Sequence, residues 1–83
     1  MSTTHEKILI ELSDIFRRVM GVDGGVHENT LRADITEWDS INHLDLIVEL
    51  EEKYHLGLSM EQIEKIDSVK EIVKIISEKK STR

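Results

Sequence analysis

Apolar residues at helical spacing, in a chain without proline, limit the folds open to this sequence more than any other feature. In the first segment they recur every three or four residues, as on the buried face of an amphipathic helix. They are Ile8, Leu9, Leu12, Ile15, Phe16, Val19 and Met20. With no proline anywhere, no interior position is forced to break a helix. The pattern predicts a helix over about 4–20, opened by a capping box from Thr3 to Glu6.

Glycines mark the end of this helix and the start of a long connection. Glycine tolerates the left-handed backbone that closes helices, and Gly21, Gly24 and Gly25 follow Met20. The apolar residues of the connection include Val26, Leu31, Ile35 and Trp38. The connection, 21–39, is long for so small a domain, and connections of that length often carry function.

Two later segments begin with the spacing of a capping box. Ser59 and Gln62 predict the start of a short third helix that buries Ile63 and Ile66. A serine at 68 with a glutamate three residues later predicts the start of a fourth helix.

The second helix is predicted from Ser40 to about His55. No segment alternates between apolar and polar residues as a strand would. The predicted fold class is therefore all-α, a four-helix bundle with three longer helices and a short third one, in a single domain over 1–83.

The composition limits the partners and the compartment. With 11 lysine and arginine residues against 17 aspartate and glutamate residues, the net charge is −6, which argues against binding to nucleic acid. Basic proteins are the expected partners. The absence of cysteine excludes disulfides and thiolate metal sites. Since the N-terminus lacks an apolar signal core and no apolar run approaches the length of a membrane span, we expect a cytoplasmic protein. The initial methionine and the polar tail over 79–83 lead us to expect a complete, free-standing chain, and we expect it to be monomeric.

The predicted second helix has two apolar stripes on different faces. The first consists of Leu46, Ile47, Leu50 and Tyr54. The second, called here the outer stripe, consists of Ile41, Leu44 and Val48. A helix on a small bundle needs only one buried stripe, and the outer stripe lies nearly opposite the first. It is therefore expected to be exposed, as a surface for a protein partner.

Carboxylates surround the outer stripe. Segment 39–54 holds five of them against one lysine. They are Asp39, Asp45, Glu49, Glu51 and Glu52. An acidic rim around an apolar strip favours rapid association with basic partners. The alternative is an acidic face that is simply solvated.

Ser40 has two interpretations at this point. Serine and aspartate are common at helix starts because their side-chain oxygens accept hydrogen bonds from the N–H groups of the first turn. Ser40 is then only a cap. In the other interpretation its hydroxyl is presented at an exposed helix start, where another enzyme modifies it. The residues alone leave both interpretations open.

The segments Asp39-Ser40-Ile41 and NHLDLIVELEEKYHLGL (42–58) resemble the acyl carrier proteins, whose hallmark is Asp-Ser-Leu at the start of an acidic second helix. The similarity extends to the helix layout of the whole chain. It implies that a phosphopantetheinyl transferase attaches 4′-phosphopantetheine from coenzyme A to Ser40, and that this arm holds cargo as a thioester. It also implies a carrier that is not a catalyst, whose other partners are acyl-activating and acyl-transfer enzymes with basic docking surfaces.

The resemblance further implies that Asp39 caps the second helix and contributes to recognition by the transferase. It also implies the docking positions Ile41, Leu44, Asp45, Val48, Glu49 and Glu52. The chain departs from the family pattern at three positions. Ile41 replaces the usual leucine. Trp38 stands where many fatty-acid carriers have a small residue, and Trp-Asp-Ser resembles instead the D-alanine carriers and the specialised carriers of secondary pathways. His43 is expected to point toward the first stripe, where fatty-acid carriers admit the acyl chain. Trp38 and His43 therefore count against a long fatty acyl cargo, and Trp38 favours a specialised pathway over housekeeping fatty-acid synthesis. Fatty acyl, polyketide, hydroxyacyl and aminoacyl cargo all stay open at this point.

Other function classes serve as alternatives. An unmodified helical interaction module would use the outer stripe and keep Ser40 as a cap. An enzyme would need more than His43 three residues after Ser40, because hydrolysis also requires an orienting acid and an oxyanion hole. The four histidines show no i, i+4 pairing, so no metal site is predicted.

Overall fold

The computed structural model describes residues 4–81 of the chain. Within them the elements are α1 (Thr4–Met20), a 3₁₀ turn (Arg32–Asp34), α2 (Ser40–Tyr54), α3 (Met60–Lys65) and α4 (Val69–Ser81). The all-α fold class is confirmed, as are the start and end of the first helix. The capping box predicted at Thr3 lies outside the described residues. None of the described helices combines the length and apolar composition that crossing a membrane requires.

The core lies where α1 packs against α2 and α4. Its fully buried side chains are almost all aliphatic, as the composition indicates. They are Ile8, Leu12, Ile15, Phe16, Leu46, Leu50, Ile66, Val69, Ile72, Val73 and Ile76. The prediction for the first stripe of α2 is confirmed, since Leu46, Ile47 and Leu50 are buried and Tyr54 is half-buried. The Tyr54 hydroxyl donates to Glu11 of α1, and burial together with this hydrogen bond raises the pKa of Tyr54.

The end of α2 is fixed by a left-handed residue and a carboxylate. His55 follows the helix with φ 54°, and its N–H donates to the Glu51 carbonyl, so the predicted end is confirmed to within one residue. The Glu51 carboxylate accepts hydrogen bonds from the N–H groups of Gly57 at 2.9 Å and Leu58 at 2.8 Å. These bonds, the one from Leu58 most strongly, lower the pKa of Glu51. One side chain of α2 thus holds the connection to α3.

The short helix α3 packs only weakly against the core. Its predicted capping box is present, since Ser59 Oγ accepts from Gln62 N at 3.1 Å and Gln62 Oε1 accepts from Ser59 N at 3.0 Å. No residue of α3 is fully buried, and Ile63 is only half-buried. The position of α3 therefore depends on contacts that other elements make with it.

The connection from α1 to α2 is anchored to the start of α4. An isolated bridge pairs Leu31 with Ser68. It comprises a hydrogen bond of 2.7 Å from Arg32 N to Asp67 O and one of 2.9 Å from Val69 N to Thr30 O. The sequence gives no sign of this bridge. It brings residues 30–32 against the α3–α4 connection and so limits the path that the chain can take to α2.

Candidate functional site at the start of α2

Ser40 is the first residue of α2, and its side chain is exposed. The helix cap is Asp39, whose Oδ1 accepts a hydrogen bond of 2.9 Å from Asn42 N. Within the described part of the chain the Ser40 hydroxyl makes no hydrogen bond. The interpretation of Ser40 as the cap of α2 is therefore wrong, and its hydroxyl faces solvent.

The turn before the serine is held by side chains on both sides. Asn42 Nδ2 donates to the Glu37 carbonyl at 2.7 Å, from within α2. Arg32 Nε donates to the Trp38 carbonyl at 3.0 Å, from the 3₁₀ turn. Trp38 N in turn donates to the Ile35 carbonyl at 3.0 Å. The sequence does not single out Arg32, because a lone arginine in a connection gives no sign of which carbonyl it reaches.

Beneath this turn lie two buried rings that hydrogen-bond to each other. Trp38 and His43 are 3% and 5% exposed, and Trp38 Nε1 donates to His43 Nδ1 at 2.8 Å. Since an indole N–H can only donate, Nδ1 must accept, and the ring proton sits on Nε2. Nε2 then donates to the Ile63 carbonyl of α3 at 2.8 Å. The predicted inward direction of His43 is confirmed, and it attaches α3 to α2.

Trp38 also packs in the core. Its ring meets Phe16 of α1 edge to face, with 5.0 Å between the ring centroids. Such aromatic pairs contribute about 1 kcal/mol beyond the area they bury. The space below the start of α2 is therefore filled with aromatic side chains whose polar atoms are paired.

The outer stripe is exposed, as predicted. Ile41 is 74% exposed, Leu44 55% and Val48 54%. Met60, at the start of α3, is 69% exposed and was not singled out by the sequence. Large apolar side chains with this exposure are available to a partner and contribute little to the fold.

The carboxylates near the outer stripe do not share one role. Asp45 and Glu52 are exposed and form no salt bridge among the described residues. Glu49 is half-buried and pairs with Arg18 of α1 at 2.8 Å. Glu51 faces residues 57 and 58. The predicted acidic rim thus combines two exposed carboxylates that make no such bond in the described region with three that bond within the bundle, namely Glu49, Glu51 and the capping Asp39.

Known proteins resemble this chain over most of its length. Residues 11–76 match the family model for a phosphopantetheine attachment site. An acyl carrier protein from Rubrobacter xylanophilus is 36% identical over 75 residues, which cover 88% of this chain and 91% of that protein. The chain belongs to the acyl carrier protein family. It is accordingly a non-catalytic carrier with a covalently attached 4′-phosphopantetheine, and it interacts with a phosphopantetheinyl transferase and with acyl-handling enzymes.

Solved acyl carrier protein structures share the fold of this carrier. A holo acyl carrier protein from Geobacter metallireducens, solved by solution NMR, has a TM-score of 0.77 at 30% identity, covering 88% of this chain and 85% of that one. The crystal structure of an acyl carrier protein from Thermotoga maritima has a TM-score of 0.81 at 26% identity, covering 95% and 93%.

The start of α2 in this carrier protein suits a phosphodiester. The positive end of a helix dipole and the N–H groups of the first turn favour negative charge. α2 has 15 residues, and its first side chain, Ser40, is exposed. The residues present therefore fit the group that the family carries.

Proposed function

We propose that Ser40 holds the 4′-phosphopantetheine, and that the chain carries acyl intermediates as thioesters on this arm between partner enzymes. The observation that carries this assignment is the exposed Ser40 hydroxyl, left without a bond because Asp39 caps the helix. Attachment replaces the hydroxyl hydrogen of Ser40 with the phosphopantetheinyl group of coenzyme A. Adenosine 3′,5′-bisphosphate leaves, and the proton passes to a base of the transferase. The thiol that ends the arm supplies the thioester chemistry.

The other serines of the matched region support the assignment to Ser40 by contrast. Ser13 Oγ accepts from Val26 N at 2.9 Å, Ser59 Oγ from Gln62 N at 3.1 Å, and Ser68 Oγ from Glu71 N at 3.3 Å. Each of these hydroxyls stabilises a helix start or a loop, and modifying it would remove that bond. Ser40 is modified at no such cost.

The outer stripe, with Asp39, Asp45, Glu49 and Glu52, is the proposed docking surface for these enzymes. The exposed apolar side chains supply buried area, and the exposed carboxylates attract basic partners. Glu49 differs from the others because a partner cation would have to compete with Arg18 for it. We therefore expect Asp45 and Glu52 to bind partners more directly than Glu49 does.

Intact-mass spectrometry tests the attachment site. The purified chain is incubated with coenzyme A, magnesium and a broad-specificity phosphopantetheinyl transferase, next to Ser40→Ala and Ser59→Ala. Ser59 is a matched control, since it is also an exposed serine at a helix start. We expect one phosphopantetheine on the wild type and on Ser59→Ala, and none on Ser40→Ala. An unmodified wild type, with the transferase active on another carrier, would favour the unmodified interaction module.

For the cargo, we infer a short or polar acyl or aminoacyl group, as in a specialised pathway. Inserting a chain beneath the start of α2 would separate Trp38 from His43 and His43 from the Ile63 carbonyl. Leaving a buried polar group unpaired costs about 1–3 kcal/mol, whereas each buried methylene of a cargo gains about 0.8 kcal/mol. A cargo of few carbons cannot offset that cost, so it stays outside the bundle.

The single tryptophan makes this inference testable. The holo chain is loaded with acyl groups from acetyl to dodecanoyl, and the indole N–H signal of Trp38 is followed by NMR. We expect the signal to stay in place for groups of a few carbons, whose buried area cannot offset the lost hydrogen bonds. A shift that grows with chain length would show that long acyl chains enter, and would favour fatty acyl cargo. Parallel assays with acyl- and amino-acid-activating ligases then separate acyl from aminoacyl cargo.

A further inference from the structure

Arg32 links the start of α4 to the turn before Ser40, through its backbone on one side and its side chain on the other. Its backbone N–H donates to the Asp67 carbonyl at 2.7 Å, within the bridge that fixes residues 30–32 to the start of α4. Its side chain reaches in the other direction, where Nε donates to the Trp38 carbonyl at 3.0 Å. Because the Trp38 carbonyl belongs to the peptide that precedes Asp39, this bond ends two residues before Ser40.

Among the described residues, this bond is the one hydrogen bond that the Arg32 side chain makes. The residue is half-buried and lines an open cleft of about 460 Å³ with Leu31, Ala33, Trp38 and Asp67. In the described part of the chain it forms no salt bridge. Arg17 and Arg18 both pair with the carboxylate of Asp14. Arg32 differs from them, because its side chain bonds a carbonyl although the protein is rich in carboxylates.

We propose that Arg32 is a positioning residue for the modification of Ser40. Its bond to the Trp38 carbonyl fixes the orientation of the last peptides before α2 and so the direction in which the Ser40 hydroxyl leaves the first turn. Asp39, Asn42 and His43 hold the same turn from within residues 39–43. Arg32 holds it from the 3₁₀ turn, whose backbone is bonded to the start of α4. This inference rests on the proposed attachment at Ser40.

The variants are chosen to separate the effect of the Arg32 hydrogen bond from the effects of its charge and its packing. Arg32→Met keeps most of the aliphatic stem and removes every donor. Arg32→Lys keeps a charge and a donor that can reach the same carbonyl, so it is expected to restore function in part. Arg17→Met is the matched control, because Arg17 is an exposed arginine whose guanidinium, among residues 4–81, bonds only within α1.

Transferase kinetics with each variant as the carrier substrate provide the main measurement. Small displacements of a reacting group lower the rate of the chemical step more than they weaken docking. We expect Arg32→Met to lower kcat about tenfold with KM for the carrier unchanged, Arg32→Lys to recover part of the loss, and Arg17→Met to match the wild type. A raised KM with unchanged kcat would overturn the proposal, since Arg32 would then contact the transferase instead. An unchanged kcat together with a lowered Tm would show that Arg32 has only a structural role, and would also overturn the proposal.

NMR of the unmodified chain gives a second readout that does not depend on the transferase. The Trp38 indole signal and the amide signals of residues 37–42 should shift in Arg32→Met and stay in place in Arg17→Met. Unchanged signals in Arg32→Met would overturn the proposed effect on the turn. A wild type that takes no phosphopantetheine overturns the assignment of Ser40, whereas a modified wild type with normal kcat in Arg32→Met overturns only the role of Arg32.

Discussion

Two neighbouring residues at the start of α2 have different roles: Asp39 caps the helix, and Ser40 exposes its hydroxyl to solvent. Asp39 bonds the N–H of Asn42, while the Ser40 hydroxyl bonds nothing in the described residues. Losing a cap costs about 1 kcal/mol, whereas a surface substitution without such a role stays within about 0.5 kcal/mol. We therefore predict that Asp39→Ala lowers the free energy of unfolding by about 1 kcal/mol and that Ser40→Ala leaves it nearly unchanged.

Urea unfolding followed by circular dichroism measures both variants. The unmodified chain is used, so that loss of the arm does not enter the comparison. A Ser40→Ala variant as destabilised as Asp39→Ala would show that Ser40 shares the capping role, and would weaken the case for a hydroxyl reserved for modification.

At the scale of the elements, Glu51 makes the connection between α2 and α3 sensitive to acid. Hydrogen bonds from Leu58 and Gly57 lower the pKa of Glu51 below its ordinary value of 4.5. A lowered pKa means that the carboxylate stabilises the fold fully above its unfolded-state pKa and loses this effect as the pH falls through the lower, folded-state pKa. We expect Glu51→Gln to lower stability at pH 7 by about 1 kcal/mol, and this difference to shrink as the pH falls below about 4.

Thermal melts across this pH range measure the difference. Glu52→Gln is the control, since Glu52 is the exposed neighbour and bonds neither residue 57 nor residue 58. A gap between wild type and Glu51→Gln that persists unchanged at low pH would contradict the assigned role of the Glu51 carboxylate.

At the scale of the whole molecule, the net charge of −6 opposes the compact state. Several of the carboxylates lie together on α2, and only some have a cationic partner. Salt and divalent cations screen such repulsion, with a Debye length that falls to about 3 Å at 1 M. We predict that Tm rises with added sodium chloride, and with magnesium chloride at lower concentration. A Tm that stays constant from low to high ionic strength would count against net repulsion.

Local signals determined most of the fold. The period of the apolar residues, the glycines and the capping boxes placed α1, α2 and the starts of α3 and α4 within a residue or two, because helix starts, ends and buried faces depend on residues three or four apart. The same periodicity identified the outer stripe, since a helix needs only one buried face. The family similarity of the residues around Ser40 indicated the carrier role.

Only the tertiary structure shows which side chains and backbone groups of different elements bond to each other. Aspartate and serine both cap helices, so the residue types alone left the cap open; the family resemblance implied Asp39, and the structure confirms it in that role. The side-chain partners of Arg32 and Glu51 are backbone groups, as is one of the two partners of His43, and every residue offers the same carbonyl and N–H. Which of these groups a side chain reaches depends on how the connections pack. The sequence therefore determined the helices and the exposed face of α2, and the packing of the connections determined what holds Ser40 in place.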